Sequence, residues 1–424
     1  MCVAELRKFG VEQACPLCRT PLPSKAEKLY DEATRRYVTV RRMVGTSRAS
    51  WSMLPDWAQY GMRAAIVGWR AAAQEGHAEA QLRMGFMVGI GRGVAQSDEE
   101  AVKWYRKAAD QGLAQAQYNL GFRFANGRGV AQSDEEAIKW YSKAADQGNC
   151  EAQHNLGLVS MEGRGCAKCD HEAVNWFRKA ADQGKGEAQC DLAFMFANGR
   201  GVAQSDEEAV KWYSKAADQG RAQAQNSLGW MFSNGRGVEQ NDEEAVKWYS
   251  KAADQGFTQA QYNLGVRFAE GRGVAQSDEE AVNWYNKAAD QGHAQAQNSL
   301  GWIFANGRGV AQSDEEAIKW IKKAADHGDS QAQYNLGWMV ANGRGVAQSD
   351  EEAIKWYSEA AGQGLAHAQY NLGLMFANGR GVAQSDEVAF KWYCMAADQG
   401  HDQAQYKLAQ GSSAGRRAAL ADTE

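Results

Sequence analysis

Proline is nearly absent from this 424-residue chain. Its four prolines, Pro16, Pro21, Pro23 and Pro55, all precede residue 56, and nothing after them carries the residue that breaks helices. Long apolar runs are missing too: none approaches the roughly 18 residues needed for a membrane span. Met1 is not followed by a secretory signal. Eight cysteines are present but do not recur in phase, as a disulfide framework would. The chain therefore reads as soluble and cytoplasmic. Excess positive charge is lacking as well. Net charge is −5 and pI about 5.9, which argues against a general nucleic-acid binder.

What fills the chain is repetition. The dipeptide Ala-Gln recurs with Gln81, Gln117, Gln153, Gln189, Gln225, Gln261, Gln297, Gln333, Gln369 and Gln405, each 36 residues from the next. A fixed period of this size marks a solenoid, whose units bury their apolar faces only against neighbours. Residues 77–400 form nine complete units. The domain layout is a basic leader over 1–55, a degenerate capping helix over 56–76, a repeat array over 77–409 ending in a half-unit, and a tail over 410–424. The leader carries ten Lys/Arg against five Asp/Glu, opposite in sign to the rest. Within it, Lys25–Val44 has helical character.

Residues 113–148 serve as the type unit. Its first helix, over 114–126, places Ala116, Leu120 and Phe124 on one stripe, with Gly121 allowing close helix approach. Asn126-Gly127-Arg128-Gly129 stops that helix through glycine at a left-handed cap. The second helix opens at Ser133, with Glu136 completing a capping box. Acids lie at the positive end of its dipole and Lys143 near the negative end. Ala137, Trp140, Tyr141, Ala144 and Ala145 form its apolar face. Trp recurs at 104, 140, 176, 212, 248, 284, 320, 356 and 392. Cofactor stacking is one use for such a series, and a regular Trp at helical spacing reads as core.

The run Ala116-Gln-Tyr-Asn-Leu-Gly-Phe-Arg-Phe-Ala-Asn-Gly-Arg-Gly-Val, followed by Glu-Ala-Ile-Lys-Trp-Tyr-Ser-Lys-Ala-Ala-Asp-Gln-Gly148, resembles the Sel1-like repeat family. Tetratricopeptide repeats are relatives with a 34-residue unit. The resemblance implies an all-α fold, a right-handed α-solenoid superhelix of antiparallel helix pairs with the first helices on the concave side. It also implies an adaptor that binds partner proteins. Few histidines recur in phase and no nucleophile–base pair stands out, so no catalysis and no cofactor are expected of the chain.

Differences between units gather on the first helix, at Tyr118, His154, Cys190, Asn226, Tyr262, Asn298, Tyr334 and Tyr370. They also fall four residues on, at Phe122, Leu158, Phe194, Trp230, Val266, Trp302, Trp338 and Leu374. Neutral drift after duplication explains this, and so does a partner-binding surface. On the second reading the candidate contacts are Tyr118, His154, Asn226, Tyr262, Asn298, Tyr334, Tyr370, Trp230, Trp302 and Trp338. One Arg stands in each inter-helix loop, from Arg92 through Arg380, and is expected to pair with acids at the next helix start, such as Glu135 or Glu136. The third unit departs most. Cys166, Cys169 and His171 have zinc-ligand spacing, with Cys150, His154 or Cys190 available as a fourth ligand, although Cys166 also fills a Val position where a thiol packs.

Cys15-Pro16-Leu17-Cys18 resembles the closing knuckle of a RING zinc finger, and Cys2 stands where an earlier ligand lies in that pattern. The resemblance implies that Cys15 and Cys18 share one zinc while Cys2 belongs to the other, so neither site closes with these residues alone. An alternative function follows: the substrate-recruiting part of a RING-type ubiquitin ligase, which engages zinc and a ubiquitin-conjugating enzyme only with a complete RING.

Overall fold

The computed structural model describes residues 24–44 and 55–410, and all regular structure among these residues is helical. Helix α1 (Lys25–Val44) and helix α2 (Asp56–Gln74) precede eighteen helices of 13 residues, from α3 (Ala78–Ile90) to α20 (Asp386–Asp398). Residues 402–410 are also helical. No helix among the described residues is long and apolar enough to cross a membrane. By contact the chain forms two compact units, 1–212 and 213–424.

Helix ends follow from local chemistry. In the type unit, α5 (Ala114–Asn126) ends at Gly127 with φ 63°, where the Arg128 N–H returns to the Arg123 carbonyl at 3.0 Å. That left-handed cap is open to glycine at little cost. Helix α6 (Asp134–Asp146) starts where Ser133 Oγ accepts the Glu136 N–H at 3.2 Å. The reciprocal half of the expected capping box does not form. The Ser133 N–H is already held by the Phe124 carbonyl at 3.0 Å, and the Glu136 carboxylate instead takes Lys139 at 3.2 Å.

In the unit 1–212, α1 and α2 pack as a helix pair beside the repeats. The Trp69 ring is fully buried between them and its indole N–H donates to Thr34 Oγ1 at 3.0 Å. One core runs from Ala33 through Met84, Leu120 and Tyr141 to Leu156. Eight of the nine first helices cross their second helix at a glycine, and the fourth does so at Ala193. A Cβ on Gly121 would stand 2.7 Å from the Tyr141 ring, which is why that close approach excludes a side chain.

In the unit 213–424, core clusters repeat at the same phase, around Tyr249 and Leu264, Tyr285 and Leu300, and Ile321, Leu336 and Tyr357. The structure bears out the reading of the Trp series as core only in part, since most of these rings pack against the core from its edge. The residue after each Trp carries the burial: Tyr105, Phe177, Tyr249, Tyr285, Ile321 and Tyr357 are all buried. Trp140 is buried, whereas Trp104, Trp176, Trp212, Trp248, Trp284, Trp320, Trp356 and Trp392 are half-buried. The outer face of the indole takes a cation from three residues on, as with Lys179 over Trp176 at 4.0 Å and Lys287 over Trp284 at 3.6 Å.

Candidate functional site

Three fasteners, each repeated, hold neighbouring repeats in register. The phase-marking glutamine is the deepest. Gln117 is buried, donates from Nε2 to the Ala109 carbonyl at 3.2 Å, and accepts from Gln147 Nε2 at 2.8 Å. One carboxamide thus ties the end of one second helix to the next. Gln261 repeats this with Ala253 and Gln291, and Gln333 with Ala325 and Gln363. A polar residue as constant as the glycines was the signal available in the sequence, where it served only to mark the phase.

The second fastener is the loop arginine. Its partner is not the glutamate of the following helix start but the first aspartate of the second helix one repeat earlier. Arg200 holds Asp170, Arg308 holds Asp278, Arg344 holds Asp314 and Arg380 holds Asp350, each through Nε and Nη2 to the two carboxylate oxygens. Such a fork-to-fork pair is the strong form of the interaction. The guanidinium of Arg200 keeps the Asp170 carboxyl below the ordinary carboxylate range. Arg164 departs and takes Glu162, the last residue of the helix just before its loop, at 2.7 Å.

The third fastener lies on the first helices. His154 Nε2 meets Asp191 Oδ2 at 2.7 Å and its ring lies beside Phe177. Asn263 Nδ2 donates to Asn226 Oδ1, and Asn335 Nδ2 to Asn298 Oδ1, both at 3.0 Å. Tyr118, Tyr262, Tyr334 and Tyr370 are half-buried and lean on Tyr141, Tyr285, Tyr357 and Tyr393 at about 5.8–5.9 Å between ring centres. Burial raises the hydroxyl pKa of Tyr118 and Tyr262, and lifts that of Tyr393 to about 12. His154, Asn226 and Asn298 are therefore engaged between repeats, and the four tyrosines against the second helix of their own repeat.

The position four residues on is different. Trp230, Trp302 and Trp338 are 43%, 49% and 41% exposed, and Phe86, Phe122 and Phe194 are exposed at the same phase in the other unit. Each Trp ring carries the guanidinium of its own loop: Arg236 over Trp230 and Arg308 over Trp302 at 5.3 Å, and Arg344 over Trp338 at 5.5 Å. Two open clefts adjoin here. One, of about 460 Å³, lies between Tyr285, Asn298, Trp302 and Asn335. The other, of about 260 Å³, lies between Trp302, Tyr334, Asn335 and Trp338. They share Trp302 and Asn335 and so form one groove across α15 (Ala294–Asn306) and α17 (Ser330–Asn342).

The structure does not assemble the cysteine-rich loop into a metal centre. Among the described residues no three His, Cys, Asp or Glu side chains converge where an ion could sit. Cys166 is exposed rather than packed as its Val counterparts suggested, and partial desolvation with nearby Glu172 raises its thiol pKa. Cys2, Cys15 and Cys18 lie outside the described residues, and the ligase reading rests on those three cysteines alone.

Helix pairs of constant length, glycine-tight crossings and repeat-to-repeat clamps define an α-helical repeat protein. The Sel1 repeat model matches nine consecutive segments: 78–113, 114–149, 150–185, 186–220, 222–257, 258–293, 294–329, 330–365 and 366–401. The chain belongs to the Sel1 repeat family. Among solved structures it is similar to c5321, described as a protective antigen present in uropathogenic Escherichia coli strains and displaying an SLR fold. That likeness is 31% identity over 91% of both chains, with a TM-score of 0.73. It is also similar to a Sel1 repeat protein from Oxalobacter formigenes, 34% identical over 73% of this chain and 89% of that one, with a TM-score of 0.59. No curated protein matches it.

Proposed function

We propose that this chain is a non-catalytic scaffold that binds a segment of a partner protein along its first helices. One observation carries the reading. The aromatic side chains at the 86, 122, 194, 230, 302 and 338 positions are exposed, while Tyr118, Tyr262, Asn226 and Asn298, four residues earlier on their helices, are engaged inside the array. Large aromatics held out from rigid elements are the usual anchors of protein recognition. Packing inside the array does not require this exposure, because the buried residue after each Trp, a Tyr in seven units and Phe177 or Ile321 in the other two, already fills the core.

The second helices are suited to a supporting role. Their outward faces carry Glu and Lys in pairs such as Lys211–Glu208 and Lys319–Glu316, solvent-facing and nearly alike from unit to unit. A surface that repeats without variation selects no partner. The first helices vary, and so can. The test is affinity capture from cells with the chain and with a Trp302→Ala/Trp338→Ala double variant. Partners retained by the parent and lost by the variant are the expected result. Identical partner sets would overturn the assignment to this face.

A further inference from the structure

We propose that the Trp302–Trp338 groove binds a proline-rich segment in the polyproline II conformation. This rests on the scaffold reading above and names the chemistry of the occupant. The argument starts from hydrogen bonds already spent. Asn335 Oδ1 accepts from Gln331, Asn298 Oδ1 accepts from Asn335, and the carboxylates of Asp278 and Asp314 are held by Arg308 and Arg344. What remains between the two rings is mostly donors. The indole N–H groups of Trp302 and Trp338, the Asn298 Nδ2 and the Nη1 groups of both arginines have no acceptor among the described residues. Against them stand the side-chain oxygens of Asn306 and Gln331, hydroxyls, and the lone pairs that the arginine-held carboxylates keep.

A matching ligand must offer acceptors and few donors, and must place apolar bulk on both rings. Proline residues do this: they keep the carbonyl and lack the N–H. In polyproline II the carbonyls point outward and none is used internally. An α-helix satisfies its own carbonyls and would leave the groove's donors unanswered.

Spacing agrees. The two rings sit at the same position of successive first helices, whose lateral link is the Asn335–Asn298 bond. Packed helices stand about 8–10 Å apart. A polyproline II segment rises about 3.1 Å per residue with three residues per turn, so residues i and i+3 share a face about 9 Å apart. A β-strand repeats its face at about 6.6 Å, too short to reach both rings in one step. The groove is thus matched to Pro-x-x-Pro, one proline ring on each indole, with carbonyls between them meeting the free donors.

The test is a fluorescence-anisotropy titration of the full chain with labelled decaproline, beside an amphipathic helical peptide and a Gly/Ser peptide of equal length. Saturable decaproline binding is expected, weakened about tenfold or more by Trp302→Ala or Trp338→Ala and unchanged by Lys211→Ala on an exposed second-helix face. Neither ring belongs to the buried core, so these variants are expected to retain the fold, and matched far-UV circular dichroism melts verify it. Absence of saturation up to about 1 mM, or binding indifferent to both Trp variants, overturns the proposal. So does preference for the helical peptide, which would leave the scaffold reading standing. Failure of every peptide together with identical captured partner sets would instead remove the scaffold reading itself.

Discussion

Arg200 grips Asp170, 30 residues earlier, with Nε at 3.0 Å from one carboxylate oxygen and Nη2 at 2.6 Å from the other. The pair joins a loop to the helix start of the preceding repeat, and both side chains are about three-tenths exposed. Asp170→Asn should cost about 1 kcal/mol in urea denaturation, the upper end for a partly solvated pair. The pairing also sets a pH dependence. Because the Asp170 carboxyl titrates lower in the folded state, the unfolded chain takes the proton first. The stabilisation is therefore complete above the unfolded value of about 3.9 and is lost as pH falls through the folded one. In the Asn variant that part of the acid limb should flatten.

Gly201 and Gly184 separate two reasons for glycine. Both have positive φ, 65° and 86°. A Cβ on Gly201 would stand 2.2 Å from the Asp170 backbone, whereas one on Gly184 meets nothing within 4 Å. Gly184→Ala should cost about 1–2 kcal/mol for the left-handed backbone alone. Gly201→Ala should cost visibly more, because backbone must move to admit the methyl group. Equal shifts in the unfolding midpoint would refute the close approach between repeats.

Tyr249 and Trp248 are adjacent, yet Tyr249 is buried and Trp248 is half-buried beneath Lys251 at 3.8 Å. Tyr249→Ala should cost about 3–5 kcal/mol, the range for a large core aromatic. Lys251→Ala should cost about 0.5–1 kcal/mol if the ammonium contributes through the ring. Chemical denaturation of the two variants measures both values.

His293 caps α15 through Nδ1, which accepts the Ala296 N–H at 3.2 Å, while its ring stacks on Tyr262. Burial lowers its pKa, partly offset by Asp329. The folded state thus prefers the neutral ring. The cap is intact above the unfolded value of about 6.5 and weakens as pH falls through the folded one, since an imidazolium cannot accept and faces the positive end of the helix dipole. Asn149 caps the same position of its repeat through Oδ1 at 2.9 Å. His293→Asn should therefore keep the cap and remove this acid sensitivity, worth about 0.5–1 kcal/mol, in melts compared at pH 5 and pH 8.

The fold was legible because its determinants are local. Helix stops at Gly127 and starts at Ser133 follow from residues within four positions, and the period supplies the rest. What sequence reading missed was each choice among neighbours. Trp248 and Tyr249 both lie at helical spacing, and only packing decides which turns inward. Glu135 and Glu136 looked like arginine partners because they are near in sequence, whereas the aspartate one repeat back is near in space. Variation at Asn298 and Trp302 suggested one surface. The structure divides it, with Asn298 bonded laterally and Trp302 open. Constancy of Gln117 carried the clamp all along, but its two bonds need the neighbouring repeat to be visible.

The central claim, that partners dock on the first helices, is tested most directly by site-specific photocrosslinking in cells. A photoreactive phenylalanine analogue replaces Trp302 in one version of the chain and the exposed Lys319 of a second helix in another. The account predicts a discrete crosslinked partner from position 302 and background alone from position 319. Crosslinking from 319 with none from 302 would contradict it.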